Sequence, residues 1–282
     1  MNKFYALFLG LFLLISSSAL SAQTALLDWE QTTGETSIFS SARAVDLNND
    51  GIKDFVLGGG LESAYLADGS LLQYDSDHMV MAVDGATGDF LWQVPGPDQI
   101  YGSPIFRDIT GDNIPEVFIG GRNAFFLCID GATGDINWQF YEGSNGQNAS
   151  NDGLYNFFNP QWIPDQNGDF MPEILVSNGG DRALPPWETD RPAGLLMVVD
   201  PLSGELLASA EMPDGRETYM SPLVYDFFRD DKPDVIIGTG GESIEGNLYR
   251  VPLADVMAGD ISNATVLLTT TDKGFIAPPS LA

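Results

Sequence analysis

Four stretches of the 282-residue chain place acidic side chains on one spacing. They are Asp46-Leu-Asn48-Asn-Asp50-Gly51-Ile-Lys-Asp54, Asp108-Ile-Thr110-Gly-Asp112-Asn-Ile-Pro-Glu116, Asp165-Gln-Asn167-Gly-Asp169-Phe-Met-Pro-Glu173 and Asp226-Phe-Phe228-Arg-Asp230-Asp231-Lys-Pro-Asp234. Acids stand at positions 1, 5 and 9 of all four. Side-chain oxygens at 1, 3, 5 and 9, with a backbone carbonyl at 7 (Ile52, Ile114, Met171, Lys232), form a hard, charged donor set. Such a set suits Ca2+ better than zinc or copper. The alternative is a set of solvated polar turns that need no ion, although carboxylates crowded this closely repel one another.

The loops differ in quality. The first is complete, with Asp46, Asn48, Asp50 and Asp54; the second uses Thr110 and Glu116, the third Asn167 and Glu173. In the fourth, Phe228 at position 3 cannot ligate and Asp231 stands where glycine would ease the turn, so this loop is expected to be weakest or empty. An EF-hand is excluded. Its bidentate Glu at position 12 is replaced by Leu57, Ile119, Val176 and Ile237, and β-branched runs follow where a helix should.

The elements that position these loops follow from the repeat. The first acids lie 62, 57 and 61 residues apart, and each loop runs into a short apolar stretch that ends at glycine. A second motif alternates with it: Asp84-Gly-Ala-Thr-Gly88 leads to Trp92 and Asp130-Gly-Ala-Thr-Gly134 to Trp138, while Asp200-Pro-Leu-Ser-Gly204 leads to Ala208. An apolar run, a glycine turn and a second apolar run signal a β-hairpin. Each repeat therefore holds four antiparallel strands, with no helical periodicity, which is the blade of a β-propeller. The predicted fold is all-β, with about four blades of a larger, roughly seven-bladed ring; a closed four-bladed ring is the rival.

The acidic loops followed by Gly-Gly resemble the FG-GAP or VCBS-type repeats of integrin α-subunit propellers and of exported bacterial proteins. Tyr101-Gly-Ser-Pro104 and Ser221-Pro222 fit that repeat's opening, and the Asp-Gly-Ala-Thr-Gly…Trp pieces resemble quinoprotein-like (PQQ) propeller repeats. The resemblance spans roughly residues 25–282 and implies a calcium-stabilised propeller, but no one activity. Three functions stay open: a binding or adhesion module with structural calcium, a lyase-like polysaccharide-active enzyme, and a quinoprotein oxidoreductase. The last is weakened because the adjacent cysteine pair such enzymes often carry is missing.

Residues 1–22 read as a secretory signal: Lys3, an apolar run from Phe4 to Ile15, and a small-residue exit to Ala22. That places residues 23–282 outside the cytoplasm, secreted or at the cell surface, with the periplasm an alternative. Pro104 and Pro222 each precede their first Asp by four residues, so Pro279 in Phe275-Ile-Ala-Pro-Pro279 announces a fifth loop just past Ala282. The expectation is a propeller truncated at its C-terminus. A net charge of −28 argues against nucleic acid and other polyanions, and no segment after the signal has membrane-spanning length. One cysteine, Cys128, excludes a disulfide scaffold and reads as a buried small hydrophobe. Trp92 and Trp138 read as packing between blades, and the lone His78 as a surface residue.

Two insertions interrupt the repeat, residues 141–162 with Tyr155, Phe157, Phe158 and Trp162, and residues 181–192 with Trp187, Glu188, Asp190 and Arg191. Their rings and polar groups would suit a glycan, or they pack over the third blade. A glycan or a cell-surface protein is the expected partner.

Overall fold

The computed structural model describes residues 29–34, 36–62, 64–65, 71–72, 74–140, 154–181, 184 and 188–281. The signal segment, most of the first insertion and Trp187 lie outside these residues. The chain divides into two compact units, Met1–Gln31 and Thr32–Ala282. Only Trp29–Gln31 of the first are described, and all that follows concerns the second.

That unit is built from four successive antiparallel meanders of the kind predicted. The first blade holds β1 (Arg43–Val45), β2 (Asp54–Gly58), β5 (Ser76–Val83) and β6 (Phe90–Gly96); a small hairpin, β3 (Ala64–Tyr65) and β4 (Leu71–Leu72), interrupts it. The second holds β7 (Ile105–Arg107), β8 (Glu116–Gly120), β9 (Phe126–Ile129) and β10 (Ile136–Gln139). In the third, β13 (Ile174–Gly179), β14 (Leu195–Val199) and β15 (Leu206–Glu211) follow a first strand split into β11 (Asn156–Phe157) and β12 (Gln161–Trp162). Pro160, which has no N–H to give, sits in the gap. The fourth holds β16 (Leu223–Tyr225), β17 (Asp234–Gly238), β18 (Asn247–Pro252) and β19 (Thr265–Thr269).

Side-chain alternation along the second strand of each blade joins the sheets. Val117 and Ile119 of β8 face Val56 of the first blade, while Phe118 between them faces Phe157 and Val176 of the third. On β13, Ile174 and Val176 face the second blade and Leu175 faces Val235 and Ile237 of the fourth. Three cores therefore link four blades in series, and each core strand between two blades is apolar on both faces. Among the described residues no further core joins the fourth blade to the first.

The glycines ending these strands mark close approach. A Cβ on Gly58 would lie 2.4 Å from the Ile100 carbonyl oxygen, and one on Gly120 2.7 Å from the Phe157 Cβ. The intruding residue stands eight positions before the next acidic loop in both cases. The lead-in is fixed by Ile100 N–H donating to Gly59 O and Phe157 N–H to Gly121 O; Phe275 N–H repeats the bond on Thr239 O. The glycines that end these strands thus serve blade stacking.

The tryptophans follow the same logic. Trp92 Nε1–H donates to Gly131 O at 2.7 Å and Trp138 Nε1–H to Pro201 O at 2.9 Å, so each ring is bonded to the Asp-Gly or Asp-Pro turn of the next blade. The fourth blade departs from the expectation of an all-strand repeat. A five-residue helix, α1 (Leu253–Met257), replaces the turn between β18 and β19, with Leu253 and Val256 buried against the third blade. Ala208, where the first two blades carry Trp92 and Trp138, leaves room for it.

Candidate functional site

All four acidic loops adopt one backbone form. Position 4 (Asn49, Gly111, Gly168, Arg229) and position 6 (Gly51, Asn113, Phe170, Asp231) each have φ between 57° and 86°. Glycine, asparagine and, less readily, aspartate (Asp231) reach this region, whereas Phe170 and Arg229 are held there against their preference.

The carboxylates divide into two roles that spacing alone does not separate. Position 9 closes the loop from within. Asp54, Glu116 and Glu173 are buried and accept the position-2 N–H of Leu47, Ile109 and Gln166 at 2.8, 2.7 and 2.6 Å. Asp54 also accepts Gly85 N–H. Positions 1 and 5 hold the exposed turn: Asp108 accepts Gly111 and Asn113 N–H, Asp165 accepts Gly168 and Phe170 N–H, and Asp50, Asp112 and Asp169 each accept the N–H two residues on. Backbone bonds, that from Gly168 foremost, hold the Asp165 carboxyl below its ordinary range. Burial pushes the Glu173 carboxyl up.

Position 3 connects the loop to its blade. Asn48 Nδ2–H donates to Asp84 at 3.1 Å and Asn167 Nδ2–H to Asp200 at 3.1 Å. The acidic loop and the Asp-Gly turn, two separate motifs in the sequence, are therefore bonded neighbours. Thr110 in the second loop turns inward to Glu116 at 3.0 Å instead.

The third loop brings its acids together. One carboxylate oxygen each from Asp165, Asp169 and Glu173 lie within 4.8 Å of one another, as no other group of three acids, histidines or cysteines does among the described residues. Two ligands of one Ca2+ at ~2.3–2.6 Å are at most ~5 Å apart, so this loop fits the ion as it stands. Asp46, Asp50 and Asp54 of the first loop and Asp108, Asp112 and Glu116 of the second are more dispersed. The first loop does leave Asp46 Oδ1 buried without a hydrogen bond.

The fourth loop carries a cation of its own. Arg250 lies with its guanidinium 4.6 Å from the centre of the Phe228 ring and 3.9 Å from Asp234. Strand register places Ala82, Cys128 and Val198 at the equivalent sites of the other blades, opposite Val56, Phe118 and Leu175 as Arg250 is opposite Ile236. Arginine occurs in the one blade whose loop lost its position-3 ligand. Asp226 and Asp230 keep the turn, with Asp226 accepting Asp230 and Asp231 N–H.

A second site lies where the blades converge. Phe39, Tyr101, Phe158 and Tyr219 each stand seven residues before a loop's first acid, and all four line one cavity of about 340 Å3 with Ile276. The rings of Tyr101 and Phe158 are 5.6 Å apart, those of Phe158 and Tyr219 6.1 Å. Arg122 covers Tyr101 at 5.6 Å, pairs with Glu62 at 3.0 Å and donates to Gln99 Oε1 at 3.4 Å. In an adjoining lobe of about 340 Å3, buried Arg191 pairs with Glu217, and Tyr219 OH lies within 3.1 Å of both. Burial raises the Glu217 carboxyl, offset in part by Arg191. In sequence, Tyr101-Gly-Ser-Pro104 marks the repeat's opening but does not single out the recurring ring, whose convergence depends on blade stacking.

The insertion aromatics take mainly structural places. Phe157 is fully buried between Phe126 and Phe140, Tyr155 is buried, and Trp162 packs against Phe118; Phe158 alone of the four lines the cavity. His78 is half-buried and stacked on Phe90 at 5.4 Å, not free on the surface.

No protein-family model matches the chain, and no curated protein matches it. Solved structures do. The exotype rhamnogalacturonan lyase YesX aligns at TM-score 0.46 and 14% identity over 77% of this chain and 45% of its own. BamB from Moraxella catarrhalis aligns at 0.39 and 14% over 83% and 56%, and the quinohemoprotein alcohol dehydrogenase from Comamonas testosteroni at 0.41 and 14% over 83% and 44%. The chain spans about half the length of these structures. Among the described residues, no helix is long and apolar enough to cross a membrane.

Proposed function

We propose that the chain is an exported β-propeller that serves as a binding or scaffold module, with Ca2+ as a structural ion in the first three acidic loops. The convergence of Asp165, Asp169 and Glu173 within 4.8 Å carries this reading. In the third loop these carboxylates, Asn167 and the Met171 carbonyl would hold the ion; Asp46, Asn48, Asp50 and Asp54, and Asp108, Thr110, Asp112 and Glu116, would hold it in the first two. Bound there, Ca2+ neutralises acids that otherwise repel one another across a turn of nine residues. In the fourth loop Arg250 takes over that task, and no ion is needed.

Thermal melts with a chelator and with added Ca2+ test the proposal. A site held at 100 times its dissociation constant adds ~2.7 kcal/mol, so Tm should fall by several degrees on chelation. Asp169→Asn should remove part of that difference, and Asp230→Asn none of it. Equal melts with and without chelator would sink the calcium reading.

The enzyme readings gain less support. Tyr219 places its hydroxyl beside Arg191 and Glu217 in the cavity, but burial raises its pKa, which suits a hydrogen-bond donor and not a base. The single cysteine is enclosed in a blade core.

A further inference from the structure

We propose that the cavity at the convergence of the blades binds a neutral saccharide unit. Tyr101, Phe158 and Tyr219 would stack on its C–H faces, and Gln99 with the Arg122–Glu62 pair would read its hydroxyls. Repetition is the first ground. The chain places an aromatic ring at the same repeat position in all four blades, and the four rings line one cavity. Its volume of about 340 Å3 falls within the ~300–1,000 Å3 of ligand sites.

The second ground is a group that wants a partner. Gln99 is 1% exposed and lines the cavity; its Oε1 accepts Arg122, and its Nε2 makes no hydrogen bond. The Arg122 donor fixes the amide orientation, because a flipped amide would set N–H against N–H. An unsatisfied buried donor costs ~1–3 kcal/mol, and a ligand oxygen that accepts from it recovers that loss.

Charge narrows the class. Arg122 is balanced by Glu62 and Arg191 by Glu217, while Glu242 adds a further acid at the rim. A phosphate or uronate would meet this surplus of acids on a chain of net charge −28. A cation would compete with Arg122, already over the Tyr101 ring. A wholly apolar ligand would leave Gln99 unpaired. A neutral polyol with apolar flat faces satisfies all three conditions. Each hydroxyl both donates and accepts, as the mixed Gln, Arg and Glu lining requires.

The inference rests on the binding-module reading but not on calcium. Calorimetric titration of the full chain with cello-, xylo-, manno-, malto- and galacto-oligosaccharides, and with oligogalacturonate as acidic counter-probe, tests it. At least one neutral member should bind one to one, with oligogalacturonate weaker. Tyr101→Ala should weaken binding about tenfold or more, and Glu62→Gln, on an exposed side chain, should weaken it with Tm unchanged. Phe170→Ala, remote from the cavity, should leave it intact. No binding by any neutral member, preference for the galacturonate, or affinity unmoved by both cavity variants would overturn the inference. Calcium-dependent melting without saccharide binding defeats this inference alone; saccharide binding without calcium dependence defeats only the metal assignment.

Discussion

Cys128 sits in β9 with no exposed surface, paired across the sheet with Phe118 and Trp138. Burial pushes its thiol from an ordinary 9.0 up to about 12, with Asn137 opposing weakly and Glu116 and Asp130 adding repulsion. A folded pKa above the unfolded one means that the unfolded chain loses the proton first. Stability from this group is whole below pH 9.0 and is lost as pH rises toward about 12. The slope is at most ~1.4 kcal/mol per pH unit. Cys128→Val should therefore flatten the alkaline decline in the urea midpoint without changing its value near neutral pH. Phe170 gives a second test at this scale. It is 93% exposed at φ 71°, with its N–H bonded to Asp165. Phe170→Gly keeps that bond and relieves the left-handed strain, so a gain of about 1 kcal/mol is expected in chemical denaturation. The acids at positions 1, 5 and 9 were legible as a set. That position 9 spends its oxygens on the loop's own amides was not, because spacing does not reveal which N–H groups face inward.

At the level of elements, the blade was legible because two signals coincided: β-branched runs of strand length and turns at fixed offsets. The glycines and the Trp position followed from repetition. What escaped was the one element that breaks the repeat. Residues 253–257 form too short a helix to show periodicity, and their clue was negative, an alanine at 208 where tryptophan recurs. The two substitutions compensate each other. Where Trp92 and Trp138 reach a turn carbonyl of the next blade, the third blade meets the Leu253 and Val256 faces of α1 instead. Ala208→Trp should therefore overpack this core, and a loss of ~1–3 kcal/mol is expected from the denaturation midpoint. A variant as stable as the parent would mean that α1 can move aside, and that the helix does not depend on the small residue.

Over the whole Thr32–Ala282 unit, cohesion comes from three cores and from a chain of polar bonds that crosses the blades near the cavity. Ser41 N–H donates to Ser103 Oγ, Ser103 N–H to Asn159 Oδ1, and Asn159 N–H to Ser221 Oγ. Each link needs a residue five or six places before a loop, so the sequence held the positions but not the pairing, which arises only when blades stack. Serial linkage of this kind makes stability a sum of blades and nearest-neighbour interfaces. The second and third blades have a neighbour on both sides, and every residue of β8 and β13 is buried. In contrast, every residue of β19 is exposed, Val266 at 51% and Leu268 at 57%. Local opening draws on elements with few buried contacts, and global unfolding is needed to expose the most enclosed strands. Hydrogen exchange should therefore be fastest at β19, intermediate at β2, which is open on the Phe55 side, and slowest at β8 and β13. Calcium in the third loop would add to this order, because Glu173 lies at the entry to β13 and the loop it closes touches the Asp200 turn. Chelation should raise exchange in β13 and β14 more than in β17, whose loop keeps Arg250 in either condition. Uniform acceleration of all four blades would instead mean that the Thr32–Ala282 unit opens as one cooperative body, with the metal acting on its global stability and not on one blade.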